Sequence, residues 1–294
     1  MKKTFYSITT TIVTLQCFLM ATKPFCVAWL PPEAFLLTRS HRSRLDLSSV
    51  STDESYAIAP LVGDEPSIRK ASDFFANSYW LGTPHVQVAS GPVSDAVYKE
   101  LLYRQFVDFS TKYGERMGSR LLDAGLIAAI DITTKKIVGL AGIEVCLLDA
   151  ERRDILTPEV SEETMKAALA NLGPKERRQY KNASPFQIAD ELLQPNLQAV
   201  CVLCNLVVSP TARGKGIAMK LCNYVKESAR DAGYDGLLLK VEKNNEAACK
   251  LYLEKLNYQE LFVCGDSSAV RFNLKDGTFE RAEAETLILV KSVI

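Results

Sequence analysis

The chain has 294 residues, of which 47% are hydrophobic and 24% charged, and its formal net charge at pH 7 is zero. This length allows one large or two small domains. Basic residues outnumber acidic ones in residues 1–50, so the remainder is slightly acidic and offers no electrostatic basis for a nucleic-acid partner.

Residues 1–55 have the composition of a targeting leader. Met1-Lys2-Lys3 precedes a threonine-rich apolar stretch, and small residues before Trp29 predict a signal peptide over residues 1–28. Residues 29–50 are rich in Ser and Arg and poor in acids, which predicts a disordered transit peptide over residues 29–55. The apolar stretch is too short and too polar to span a bilayer, so we expect no stable membrane insertion of the mature chain.

An aromatic residue just after the expected cleavage point, in Val27-Ala28-Trp29-Leu30-Pro31, is similar to the bipartite presequences of algae with secondary plastids. This similarity implies a plastid location. Ordinary secretion is the alternative, and the cysteine spacing shows no disulfide framework that would favour it.

Residues 60–294 contain no clear boundary and predict one α/β domain. Apolar patterning predicts a first strand over residues 61–71 and a helix over residues 97–113. Two apolar arms, residues 121–132 and 137–148, flank Thr133-Thr134-Lys135-Lys136 and predict a hairpin.

The segment 150–196 is charged and predicts a helical insertion. A short helix is expected near residues 162–172, ended by Gly173-Pro174. The basic run Lys175-Glu176-Arg177-Arg178 is more typical of a solvated helix start than of a binding patch.

The most informative stretch runs from residue 197 to residue 218. An apolar run without a carboxylate is followed by Arg213-Gly214-Lys215-Gly216-Ile217-Ala218, and apolar residues then recur at helical spacing. The order is buried strand, basic glycine turn and helix N-terminus. Unpaired N–H groups at a helix N-terminus favour an anion, so this stretch predicts a pyrophosphate cradle.

Two common phosphate-binding patterns do not fit this cradle. The dinucleotide fingerprint requires a third glycine, and position 219 is Met. The nucleoside triphosphate loop requires Lys followed by Ser or Thr, and Lys215 is followed by Gly216.

Arg213, Gly216 and Ala218 fit the Arg/Gln-x-x-Gly-x-Gly/Ala signature of the GNAT superfamily of N-acetyltransferases. Asn245, Ala248, Leu251 and Tyr252 are similar to the second motif of that family, Asn-x-x-Ala-x-x-Leu-Tyr. Asn257 and Tyr258 replace the family's usual Gly and Phe, and Asn is the next best residue at a left-handed helix end. Two motifs in the expected order make the resemblance specific over residues 197–263.

The resemblance implies a GNAT fold, in which helices flank a mixed central sheet that splays between its two middle parallel strands. Acetyl-CoA would be the co-substrate, with its pantetheine arm in the splay. The coenzyme-binding residues implied by the motif are Leu206, Val207, Val208, Arg213, Gly214, Lys215, Gly216, Ile217, Ala218 and Asn245. Capping of its own helix is the alternative role of Asn245.

By the same resemblance, Tyr252 would protonate the departing coenzyme A thiolate. A core tyrosine with a satisfied hydroxyl is the alternative. The resemblance does not identify the general base, because the strand before the cradle has no glutamate. Glu144, on the neighbouring strand, is the nearest candidate, and a water relay through backbone carbonyls is equally open.

No metal is expected. The only histidines in the sequence are His41 and His85, and His41 lies in the leader. Cys201-x-x-Cys204 lies on a predicted strand, where residues three apart point to opposite faces. Free buried thiols are therefore the preferred interpretation of the cysteines.

The run from Leu203 to Arg213 is similar to the corresponding run of plastid acetyltransferases that modify lysines and protein N-termini, although Gly214 stands where a second Arg is usual. This similarity implies direct transfer of acetyl to a primary amine of a protein or peptide. Two alternatives remain: an acetyltransferase for small amines and a non-catalytic acetyl-CoA-binding module.

Overall fold

The sheet begins upstream of the residue at which the domain was expected to begin. The computed structural model describes residues 51–52 (backbone only), 55–89, 91–115, 121–265 and 267–293, all within one compact unit, Leu37–Ile294. The first strands are β1 (Ser51–Thr52) and β2 (Tyr56–Pro60), which pair antiparallel. The predicted signal peptide and residues 29–50 of the predicted transit peptide lie outside the described residues.

The predicted strand over residues 61–71 is wrong, because most of this stretch is helical. Helix α1 spans Glu65–Phe75, with Asp64 accepting from Ser67 N at 3.3 Å as its cap and Pro66 in its first turn. A π-helical turn, Ala76–Trp80, and a short 3-10 turn, Pro84–Val86, follow it. Helix α2 (Asp95–Tyr113) confirms the second prediction.

The hairpin and the helical insertion are both confirmed. The hairpin is formed by β3 (Ala124–Asp131) and β4 (Ile137–Asp149). The insertion consists of β5 (Asp154–Ile155), α3 (Pro158–Ala170), α4 (Pro174–Gln179) and α5 (Pro185–Leu192). Helix α4 has no buried residue, as expected of a solvated basic helix.

The C-terminal half follows the predicted order, with one element added. It contains β6 (Leu197–Val208), α6 (Ile217–Asp231), β7 (Gly236–Glu242), α7 (Glu246–Cys249), β8 (Gln259–Cys264), β9 (Ser268–Phe272), β10 (Phe279–Glu283) and β11 (Thr286–Ser292). Apolar patterning predicts two final strands, residues 258–263 and 286–293, joined by a polar loop, whereas β9 and β10 form a hairpin in place of that loop. A π-helical turn, Lys250–Lys255, continues α7.

The main sheet has the order β1-β2-β3-β4-β6-β7-β11-β8, with β5 added to β4. Its described strand pairs are antiparallel except β6 with β7, so the sheet is mixed. Successive side chains of β3 point to opposite faces of the sheet and enter two different cores. Leu126 and Ala128 pack beneath α1 and α2, whereas Ile127 and Ala129 belong to the core beneath α6. The helices therefore cover both faces of the sheet, which is the predicted fold class.

The predicted splay lies between β6 and β7. The two strands pair only at Cys201 with Leu237 and Val202 with Leu238 among the described residues. Beyond these pairs β6 continues to Val208 along β4 alone. One edge of β6 therefore carries backbone groups that can bind an extended ligand as an added strand would.

None of the described helices is long and apolar enough to cross a bilayer. The six described cysteines are free thiols. Burial raises the pKa of Cys222 to about 12, and burial also raises the pKa of Cys146, Cys201 and Cys204 above the ordinary thiol value. These four thiols are therefore protonated and unreactive near neutral pH.

Candidate active site

A cleft of about 560 Å³ opens at the splay. One wall consists of the end of β6, the end of β7 and the α7 segment, including Leu206, Asn245 and Tyr252. The opposite wall consists of α1, α2 and the β9–β10 hairpin. This volume is in the range of small-molecule sites. Since the cleft reaches the free edge of β6, a ligand in it can contact both side chains and main chain.

The cradle at the mouth of the splay has the expected backbone. Gly214 and Gly216 have φ of +80° and +77°, and Gly216 is the residue before the first turn of α6. A Cβ at either position would meet no atom within 4 Å, so the glycines are required for their conformation and not for space. The turn presents the N–H groups of Ile217 and Ala218 at an open helix N-terminus.

The predicted coenzyme residues do not all have the same surroundings. Leu206 and Asn245 line the cleft, whereas the Val207 side chain is buried in the core beneath α1 and α2. The Arg213 guanidinium donates to the Val208 carbonyl at 3.3 Å and to the Gly82 carbonyl at 3.5 Å. Arg213 therefore fixes the loop after α1 against the cradle in addition to placing a positive charge there.

Asn245 makes both a helix cap and a contact across the cleft. Its Oδ1 accepts from Ala248 N at 3.2 Å, which confirms the capping role. Its Nδ2 lies 3.4 Å from Nε2 of His85, on the loop after α1. Burial lowers the pKa of His85, Glu242 opposes this effect, and the cations Arg271 and Arg213 add to it. Sequence reasoning assigned His85 no role.

Tyr252 is buried in the π-helical turn that continues α7, and it lines the cleft. Its ring packs edge-on against Tyr258, with centroids 5.6 Å apart. Burial raises the pKa of its hydroxyl well above the usual value, so the group stays protonated at neutral pH. Among the described residues nothing hydrogen-bonds this hydroxyl. It is therefore available to donate a proton to a group in the cleft.

Glu144 occupies a buried polar cluster that no sequence pattern indicated. The Tyr113 hydroxyl of α2 donates a very short hydrogen bond to Glu144 Oε1. Asn205 Nδ2 donates to the same hydroxyl at 2.6 Å, and Cys204 Sγ lies 3.5 Å from it. Burial raises the pKa of Tyr113, and the neighbouring Cys204 and Glu144 raise it further.

A β-bulge in β6 brings Asn205 into this cluster. The register between β4 and β6 shifts between Leu140 and Gly142, and Asn205 has a φ of +50°. Bulges re-aim side chains, and here the amide of Asn205 contacts Tyr113 while the residue also lines the cleft. The bulge therefore connects the cleft to the Glu144 cluster.

The structure does not bring Glu144 into the same wall as Tyr252. Cys204 and Asn205 line the main cleft, whereas Glu144 lines a second pocket of about 60 Å³ together with Lys112 and Glu159. A proton from the cleft would therefore reach Glu144 by way of the Tyr113 hydroxyl, because the Asn205 amide donates to that hydroxyl and cannot itself relay a proton. Lys112 lines both pockets.

We expect Gly142→Ala to destabilise the protein by about 1–3 kcal/mol through overpacking of this cluster. A Cβ at position 142 would lie 2.7 Å from Cys204 Sγ and 2.9 Å from the Tyr113 hydroxyl. Urea unfolding measures the decrease in the free energy of unfolding. Gly236→Ala is the matched control, because its Cβ would approach no atom closer than 3.5 Å. Equal stabilities of the two variants would contradict the packing described here.

Three features are typical of an acyl-coenzyme A-dependent transferase: a splayed parallel pair of strands, an anion cradle at a helix N-terminus, and a protonated tyrosine that lines the cleft at the splay. The family model described as acetyltransferase (GNAT) family matches residues 188–258, which contain all three features. Residues 188–258 of the chain are therefore similar to the GNAT acetyltransferases, and this match indicates acetyl-CoA-dependent N-acetyl transfer.

Several solved structures are similar to this chain at low sequence identity. A probable GNAT-family acetyltransferase from Chromobacterium violaceum is 12% identical, with 92% of this chain and 98% of that chain covered and a TM-score of 0.48. Arabidopsis thaliana NAA60 in complex with acetyl-CoA is 12% identical (83% and 98% covered, TM-score 0.40). A polyamine N-acetyltransferase from Drosophila melanogaster is 15% identical (80% and 99% covered, TM-score 0.39). The comparison with curated proteins finds no match.

Proposed function

We propose that this protein transfers the acetyl group of acetyl-CoA to a primary amine of a protein or peptide, either an N-terminal α-amine or a lysine side chain. Transfer is direct, within a complex that holds both substrates. The observation that carries the proposal is the continuity of the cleft, which runs from the free edge of β6 to an acceptor wall on α1, α2 and the β9–β10 hairpin.

The charges of the cleft favour a singly charged amine over a small polyamine. Asp108 and Glu242 line the cleft, and both are paired, with Lys112 at 3.1 Å and with Arg271 respectively. Arg104 and Lys240 line it as well. Arg104 and Lys240 are paired with Glu100 and Asp154, so a ligand with several positive charges would find no unpaired carboxylate among these residues, which supports a singly charged protein amine.

In this proposal Glu144, Tyr252 and the end of β6 supply the three catalytic roles. Attack of the amine nitrogen on the thioester carbonyl forms the C–N bond and breaks the C–S bond. The proton lost by the amine goes to Glu144 by way of the cluster at Tyr113, and Tyr252 donates its proton to the sulfur of the leaving thiolate. Backbone N–H groups at the end of β6 polarise the thioester carbonyl.

Calorimetry and a transfer assay on the full chain test this function. We expect acetyl-CoA to bind and the free coenzyme A thiol to be released when a peptide library is added, with acetyl groups found on peptides by mass spectrometry. Acetylation of small amines alone would contradict the acceptor class. Binding without transfer to any amine would instead indicate a non-catalytic module.

The location remains a proposal on sequence grounds. The signal-peptide pattern over residues 1–28 and the transit-peptide composition over residues 29–50 support a plastid location, with the secretory pathway as the alternative. A fluorescent protein fused after Ile294 would accumulate in plastids in the first case and along the secretory route in the second.

A further inference from the structure

The acceptor side of the cleft contains a cluster of aromatic rings that the proposed chemistry does not use. We call Tyr79, Trp80 and Phe279 the aromatic wall, since all three line the cleft. The Trp80 ring lies edge-on to Tyr79 at 4.8 Å and to Phe279 at 5.0 Å. The wall joins two elements far apart in sequence, the end of the α1 segment and the β9–β10 hairpin.

Hydrogen bonds hold the wall in place. Trp80 Nε1 donates to Oε1 of the buried Gln105 at 2.8 Å. The side-chain amide of Gln87 donates to the Trp80 carbonyl at 2.9 Å and to the Leu81 carbonyl at 3.1 Å. Phe272 supports Trp80 from behind, with ring centroids 6.3 Å apart. A wall fixed in this way loses little conformational entropy when a ligand binds.

The charges beside the wall are already satisfied. Arg271 forms a two-pronged pair with Glu242, and both side chains are nearly nine-tenths buried. Arg104 pairs with Glu100 at 2.7 Å, and its guanidinium carbon lies 5.9 Å from the centre of the Phe279 ring. The wall therefore offers an apolar surface and no free carboxylate among the described residues that line it.

We propose that the aromatic wall is a specificity pocket for a large apolar side chain on the residue whose amine is acetylated. This inference rests on the proposed function and narrows its acceptor to a peptide N-terminus that begins with a bulky apolar residue. In such a residue the side chain and the α-amine leave the same carbon, so one can contact the wall while the other faces the thioester. A lysine amine ends an unbranched chain and has no side chain beside it to contact the wall.

The test uses the full chain, acetyl-CoA and peptides that differ only in their first residue. We expect kcat/KM for Leu, Met or Phe at the first position to exceed that for Ser or Asp by about 10-fold or more, the discrimination typical of apolar pockets. Trp80→Ala should remove most of this preference, and Trp80→Phe should keep part of it. Tyr103→Ala is the control, since Tyr103 lies on α2 with 63% of its surface exposed, and it should leave the preference unchanged.

Binding of acetyl-CoA, measured by calorimetry, shows whether each variant is folded. Equal rates for apolar and polar first residues would overturn the specificity pocket while leaving the proposed function intact. Acetylation confined to lysines of peptides with a blocked N-terminus would also overturn it. The absence of transfer to any peptide or lysine would contradict the proposed function itself, so the two failures are distinguishable.

Discussion

Tyr252→Phe should lower kcat by about 10²- to 10⁴-fold and leave the affinity for acetyl-CoA unchanged. The change removes a hydroxyl that none of the described residues hydrogen-bonds, so it leaves no buried partner unsatisfied. The ring keeps its edge-on contact with Tyr258. Loss of the proton donor then leaves the coenzyme A thiolate as an unassisted leaving group, which slows the chemical step and not binding.

Single-turnover kinetics and calorimetry separate these two quantities. Because burial raises the pKa of Tyr252, its proton is present at all pH values below the ordinary tyrosine value of about 10, and the deficit of the variant should not vary across that range. Tyr258→Phe removes a neighbouring buried hydroxyl that does not line the cleft, and it should retain normal turnover. Unchanged turnover of Tyr252→Phe would remove its acid role.

The half of the site that sequence could predict is made of residues close together in the chain. The end of β6, the cradle and the start of α6 are consecutive, so apolar runs and glycines fix them locally. Gly214 and Gly216 have the left-handed φ that their place in a tight turn indicates. The splay followed from family resemblance, and the structure confirms it.

The other half depends on contacts between distant positions. Tyr113 and Asn205 are 92 positions apart, and only the bulge at Asn205 brings them together. The aromatic wall likewise combines Trp80 with Phe279. Periodicity and spacing within one element cannot predict a contact between two distant elements. The Glu144 cluster and the aromatic wall are therefore not predictable from these patterns.

Two misassigned elements did have local signals. Asp64-Glu65-Pro66-Ser67 is a helix start, with an acidic cap followed by proline in the first turn, and it argued against a strand at residues 61–71. Asp276-Gly277 is a typical hairpin turn, and Gly277 has a φ of +74°. In both places the turn and cap residues indicate the observed structure, whereas the apolar or polar character of the stretch does not.

Glu144→Gln should lower kcat/KM near neutral pH by about 10²-fold or more, if Glu144 is the proton acceptor. Glutamine has the same shape, and its carbonyl oxygen can still accept the hydrogen bond from Tyr113, so the cluster stays intact. It cannot take a proton. The loss in kcat/KM should therefore become smaller as pH rises, because a larger fraction of the amine substrate is then already deprotonated when it binds.

The pH profile distinguishes this role from a structural one. A variant that only loosened the cluster would lose the same fraction of activity at every pH, and it would unfold at lower urea concentration. Glu159→Gln is the matched control, since Glu159 lines the same small pocket from the exposed start of α3 and should keep the wild-type profile. If Glu144→Gln keeps that profile too, the proton leaves the amine by a water relay along the backbone carbonyls of β6, and the cluster serves only to anchor α2 on the bulge.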